Sequence, residues 1–205
     1  MPAQQLAGLT RAQAPRVRRF GHRRSHPRTL AQPYRIRRSC GGRPRGRDNG
    51  GVQVAVCGPA EATPEETAQA RRVGELLAER GVTVLCGGGG GVMAAVAAGV
   101  RDRAGLVIGV RPDDGTAPAL AELSASVVTN MGQARNAILV WSADAVIAVG
   151  GSWGTLSEVA LAMRRGGIPV VVLGGWRVVD AHGAPVPGPV HAATPDAAVR
   201  LALGS

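Results

Sequence analysis

Lysine is absent: all 24 basic residues of this 205-residue chain are Arg. Its absence excludes a Walker-A lysine for nucleotide phosphates and a Schiff-base lysine for pyridoxal phosphate. Aromatics are nearly as scarce, and beyond residue 50 only Trp141, Trp153 and Trp176 occur. So few rings make a poor stacking platform for single-stranded nucleic acid. Cys40, Cys57 and Cys86 are odd in number and lack CxxC or metal-ligand spacing. They suit a reducing, cytoplasmic setting, with Cys57 and Cys86 as small buried thiols ending strand-like runs. No apolar run reaches the roughly eighteen residues of a membrane span. The amino terminus has no apolar core of a secretory signal. A membrane partner is not expected.

The net charge of +10 is unevenly placed. Residues 1–50 hold thirteen Arg against one acid, Asp48, a net of +12; the remaining 155 hold eleven Arg against thirteen acids, a net of −2. A basic chain suggests nucleic acid, but here that partner would come through the tail alone. The tail has no sustained periodicity and is read as a disordered Arg-rich extension. A basic arm, an organelle transit peptide and translated sequence ahead of the true start compete to explain it. The last, or an extension without function, suits its Ser-poor composition best. His22 and His26 stand four apart with no further ligands, so no metal site is expected.

From Val52 a regular alternation begins. VQVAVCG reads as a strand, followed by a helix from Pro64-Glu65-Glu66 to Arg80 that Gly81 stops. VTVLCG, LVIGV, SVVT, AVIAVGG and IPVVVLGG complete six strands. Helices are expected over VMAAVAAGV, 131–143, 156–166 and about 195–203, with Thr194 capping the last. Residues 111–125 should form a loop with a short helix. His182 and His191 look like loop residues. Continuous apolar strands alternating with helices predict an α/β, Rossmann-like open parallel sheet with helices on both faces, spanning residues 51–205.

In such sheets ligands sit outside the carboxyl ends of the strands. Two glycine-rich turns fall there. Gly87, Gly88, Gly89, Gly90 and Gly91 can aim several backbone N–H groups at one point ahead of a helix, as a phosphate cradle or simply as a tight turn. The second turn is Gly150-Gly151-Ser152-Trp153-Gly154-Thr155-Leu156-Ser157-Glu158. Thr155 and Glu158 have capping-box spacing, so Glu158 either caps a helix starting at Leu156 or faces the ligand as an acid/base group. Arg135 falls near a helix amino terminus, where a cation is disfavoured by roughly 0.3–1 kcal/mol. Its presence there points to a nearby anion, either Glu158 or a bound phosphate, over the plainer alternative of a solvated surface Arg reaching away from the dipole. Trp153 could stack on a ligand ring or pack at a subunit contact. The first strand runs into Cys57-Gly58-Pro59-Ala60 with no GxGxxG, and the second ends at Cys86 where a ribose-binding acid would stand. These residues therefore argue against a nicotinamide or flavin oxidoreductase.

Gly88-Gly89-Gly90-Gly91-Val92-Met93 and Gly150–Glu158 resemble the paired GGGxxGxM-like and PGGxGTxxE motifs of the LOG ("Lonely guy") superfamily, over about residues 52–175. The resemblance implies a Rossmann-like homodimer that binds nucleoside monophosphates. In active members a phosphoribohydrolase cleaves the N-glycosidic bond, with roles that map onto Arg135 and Glu158. Ligand-binding positions would be Gly58, Gly87–Gly91, Met93, Asn136, Gly150, Gly151, Ser152, Gly154 and Thr155. Two departures matter: the hydrolases usually carry Arg-Lys at Arg135-Asn136, and Pro at Val149. MGQARNAILVWSADAVIAVGG looks closer to the branch of the molybdenum cofactor carrier proteins. The expected ligand is accordingly a nucleoside monophosphate or molybdenum cofactor bound without chemistry; the alternative is a nucleoside monophosphate cleaved at its N-glycosidic bond.

Overall fold

The computed structural model describes residues 51–205; the Arg-rich extension lies outside the described residues. Seven strands form one parallel sheet: β1 (Gln53–Cys57), β2 (Thr83–Cys86), β3 (Val107–Arg111), β4 (Ala125–Val128), β5 (Ala145–Val149), β6 (Val170–Leu173) and β7 (Val190–Ala192). Their order is β4-β3-β2-β1-β5-β6-β7. The chain winds outward from β1 in one direction through β4, then returns to β1's other side at β5. That reversal opens a crevice at the carboxyl ends of β1 and β5.

Strand periodicity divides the core into two layers. Val54 and Val56 of β1 face a layer with α1 (Pro64–Ala78), α2 (Val92–Asp102) and α5 (Pro195–Leu203), while Ala55 and Cys57 face α3 (Arg135–Ser142) and α4 (Trp153–Arg165). The expected two-sided sheet is thus present. α1 starts with a complete capping box, Thr63 and Glu66 each taking the other's backbone N–H, with Pro64 in its first turn. α1 and α2 approach closely because a Cβ on Gly99 would strike the Arg71 carbonyl and one on Gly74 the Val96 carbonyl.

Four expectations need correction. No helix forms within residues 112–124, because Asp113 and Asp114 turn their carboxylates onto the amides of Gly115 and Thr116, and these local bonds compete with helix. The helix expected over 131–143 is divided: a 3-10 turn, Gly132–Ala134, precedes α3, with Gly132 at φ +53°. α4 begins three residues earlier than expected, at Trp153. A seventh strand, β7, adds to β6 and carries His191, which was expected in a loop. β7 has only three residues and follows a proline-rich stretch, so neither length nor composition announced it.

Candidate functional site

The correction at α4 decides what Glu158 does. Ser152 is the N-cap: its Oγ accepts from the Thr155 amide at 3.2 Å and lies 2.9 Å from Thr155 Oγ1. Thr155 therefore sits inside the first turn, and the capping-box reading of Thr155 and Glu158 fails. Glu158 is free of the cap and is carried one turn on, facing α3.

There it meets Arg135. Arg135 Nη1 donates to Glu158 Oε1 at 3.2 Å, and both side chains are 8% exposed. The anion expected beside Arg135 is thus supplied by the protein itself. The Cys57 thiol, at the end of β1, faces the same carboxylate, and its own pKa is pushed well up by burial and by that negative charge. Burial raises the Glu158 pKa above the ordinary carboxylate range; Arg135 and Cys57 oppose the shift without cancelling it. Cys86, likewise buried, is raised to about 11.

Arg135 also floors the first glycine turn. A Cβ on Gly87 would collide with Arg135 Nη2 and lie 2.6 Å from Met93 Sδ, so Arg135 and Met93 fit only against bare backbone. Gly88 takes φ +74° and would place a Cβ 2.8 Å from Arg111 Cγ, while a Cβ on Gly89 would lie 3.0 Å from Met93 Cε. Gly91, the residue before α2, has φ +59° and ψ −126°, a conformation open to glycine, and abuts the carbonyls of Pro59 and Ala60. Gly90 faces the Ala60 carbonyl more loosely, at 3.5 Å from an added Cβ. Gly58 fits between the Val92 side chain and the Val149 carbonyl. The loops after β1 and β2 therefore interlock beside the crevice.

The second turn closes its other wall. Gly150 takes φ +68°, donates to the Leu173 carbonyl at 3.0 Å, and lies against the Glu66 carboxylate. Gly151 lies under the Trp176 indole, which meets Trp153 edge-on with centroids 5.0 Å apart. Because Ser152 satisfies the Thr155 amide, the first-turn amides of Trp153 and Gly154 have no acceptor among the described residues. Asn136 bridges α3 to α4: its Nδ2 donates to Ser157 Oγ at 2.9 Å, and Ser157 donates to the Gly154 carbonyl at 2.7 Å. Two buried polar atoms here have no partner among the described residues, Arg135 Nε and Asn136 Oδ1.

All the residues expected from the sequence fall at this one sheet edge. Three neighbours were not foreseen. Arg111, 5% exposed, ends β3 beneath Gly88 and is held by Asp113 and the Ala117 carbonyl. Cys57 was read as inert core. Glu66 was expected only as an acid in the first turn of α1, and its approach to Gly150 joins segments 84 residues apart (150 − 66). Only Arg111 left a signal, a charge at the end of an otherwise apolar strand. Among the described residues no group of three or more His, Cys, Asp or Glu is placed to hold a metal ion. A cavity of about 590 Å³ lies on the other flank of α4 and includes neither Arg135 nor Glu158.

Known proteins share this architecture and parts of the sequence. An uncharacterized protein of Archaeoglobus fulgidus is 38% identical over 160 residues, covering 75% of this chain and 96% of the relative. The molybdenum cofactor binding protein of the phototrophic bacterium Rippkaea orientalis superposes with a TM-score of 0.65 at 33% identity, over 73% of this chain and 94% of that one. The molybdenum cofactor carrier protein of Chlamydomonas reinhardtii gives 0.62 at 31%, with the same coverages of 73% and 94%. These likenesses bear out the resemblance to the LOG superfamily on the side of the molybdenum cofactor carriers. A family model spans the sheet, both glycine turns and the Arg135–Glu158 pair, matching residues 51–196, and the chain belongs to the SLOG cluster4 family.

Proposed function

We propose that the protein binds and holds a phosphate-bearing small molecule, a nucleoside monophosphate or molybdenum cofactor as cargo, without chemistry on it. The observation that carries this reading is the Arg135–Glu158 pair. A general acid or base must reach the reacting atoms, yet Glu158 is buried with its carboxylate engaged by Arg135, whose guanidinium lies against Gly87. The pair serves instead as a rigid floor. The phosphate would be taken by backbone donors, the amides of the Gly87–Gly91 turn and of Trp153 and Gly154, aided by the amino-terminal ends of α2 and α4. That cradle fits the phosphate arm of a pterin cofactor as well as that of a nucleotide. The likeness to a molybdenum cofactor carrier supports the cofactor, and free, buried Cys57 and Cys86 suit a reducing cytoplasm.

Hydrolysis is the second reading. It is favoured by the raised pKa of Glu158, which suits a proton donor, and would use Arg135 to orient the phosphate or ribose. One experiment separates the two. The full chain is titrated with purine nucleoside monophosphates and with molybdenum cofactor, while free base is followed by chromatography. Saturable binding with no base released supports the carrier; base release that Glu158→Gln abolishes overturns it. The expected homodimer is supported by Ile138 and Trp141, exposed three residues apart on α3. Light scattering should give twice the chain mass of 20.9 kDa.

A further inference from the structure

The connection from β6 to β7 is unusual for adjacent parallel strands, which a helix normally joins across the sheet face. Here residues 174–189 form an extended arm. It folds back through an isolated bridge between Val179 and Pro185, with a tip pinned by Asp180, whose carboxylate accepts from the His182 and Ala184 amides. α4 packs on β5 and β6, and residues of the arm stand beside it. Between them lies the cavity of about 590 Å³, a size ordinary for small-molecule sites.

Its chemistry is one-sided. α4 contributes Leu156, Val159, Ala160 and Met163, spaced three and four apart on one helix face, and the arm contributes Val178 and Val186. Pro185, Pro187 and Pro189 line it too, and proline brings no N–H donor. The Ser152 and Thr155 hydroxyls at its end are bonded to each other. Among the described residues its ionisable lining residues are Arg177 and His191, with no acid. A purine or pterin would find few partners for its hydrogen-bonding edge along these apolar walls, where side-chain donors are confined to Ser152, Thr155, Trp176, Arg177 and His191. An apolar body with a single anionic group matches the apolar walls, its charge meeting the exposed Arg177.

We propose that this cavity is a second binding site, taking a monocarboxylate with an apolar body, such as a medium-chain fatty acid. It is separate from the glycine turns except for the shared wall at Gly150–Ser152 and Thr155, and does not rest on the carrier reading. Ala160 and Arg177 belong to no part of the phosphate cradle, so the two sites can be disabled independently.

The test titrates the full chain with octanoate, following tryptophan emission, to which Trp176 at the cavity wall contributes, and heat by calorimetry, with octanol as the uncharged counterpart. The Arg-rich first fifty residues are identical in every variant, so attraction of anions to them cancels in comparison. Octanoate should bind saturably, tighter than octanol by about tenfold, and Arg177→Gln should remove that difference. Ala160→Phe should weaken both ligands at least about tenfold by filling the space, with nucleotide titrations unchanged. Should Ala160→Phe fail to fold, Val186→Asp on the exposed arm places an anion in the lining and should repel octanoate alone. Octanol binding as tightly as octanoate overturns the proposal, as does octanoate binding indifferent to the cavity variants. A change in oligomeric state on filling the cavity, with no octanoate binding, also overturns it and makes the groove a subunit contact.

Discussion

Arg135 and Glu158 lie 23 residues apart in sequence and join by a 3.2 Å hydrogen bond beneath the first glycine turn, both nearly sealed from water. Removing one member leaves the other charged and buried, which costs about 3–5 kcal/mol in comparable settings. Arg135→Ala should therefore lower the unfolding free energy by about that much in urea denaturation. The double replacement Arg135→Met with Glu158→Leu should recover most of the loss, because two apolar side chains need no partner. Equal, additive losses from the two single changes would show that the pair is not coupled.

The pH dependence of the same carboxyl has a defined sign. Burial raises its folded pKa above the ordinary 4.5, so the folded protein holds this proton more tightly than the unfolded chain. The stability contributed is fully present below the unfolded value and is lost as pH rises through the folded one. Other acids complicate the absolute curve: Glu75, Asp113 and Asp114 are lowered by their hydrogen bonds, and act in the opposite direction. The quantity to measure is the difference between wild type and Glu158→Gln in urea midpoints from pH 4.5 upward. That difference should move against the wild type as pH rises. A trend the other way would mean that Arg135 outweighs burial.

Glycines at positive φ should not be equivalent. Gly132, at φ +53°, has open space around it, so Gly132→Ala should cost only the strain of the left-handed conformation, about 1–2 kcal/mol. Gly91→Ala adds collision with the Pro59 and Ala60 carbonyls at the start of α2. It should cost more, roughly 3 kcal/mol, and also abolish binding of nucleoside monophosphate. Thermal unfolding and calorimetric titration of the two variants would check the ranking. If Gly91→Ala binds normally, the first turn is not part of the phosphate cradle.

The cap of α4 offers a plainer check. Ser152→Ala should destabilise by about 1 kcal/mol through loss of the bond to the Thr155 amide. Thermal melts would resolve it. A silent Ser152→Ala with a costly Thr155→Ala would restore the later helix start.

Local physics made much of the scaffold legible. Continuous Val- and Ala-rich runs such as AVIAV at β5 could only be strands buried on both faces, and turns as rich in glycine as Gly87–Gly91 had to lie at strand ends. The chemical types at the site, a cation near a helix start and an acid one turn beyond a glycine loop, were visible for the same reason. Tertiary structure decided how they are used. Thr155 and Ser152 are both competent caps, and only the backbone path from β5 into α4 selected Ser152 and released Glu158 toward Arg135. β7 is too short to declare itself and exists because β6 offers an unpaired edge. Gly150 meets Glu66, and Arg111 comes to lie beneath Gly88, through parallel crossovers that bring distant strand ends together. Periodicity and turn chemistry are local and are written in the chain; which side chains share a crevice depends on strand order, and only the folded sheet supplies that.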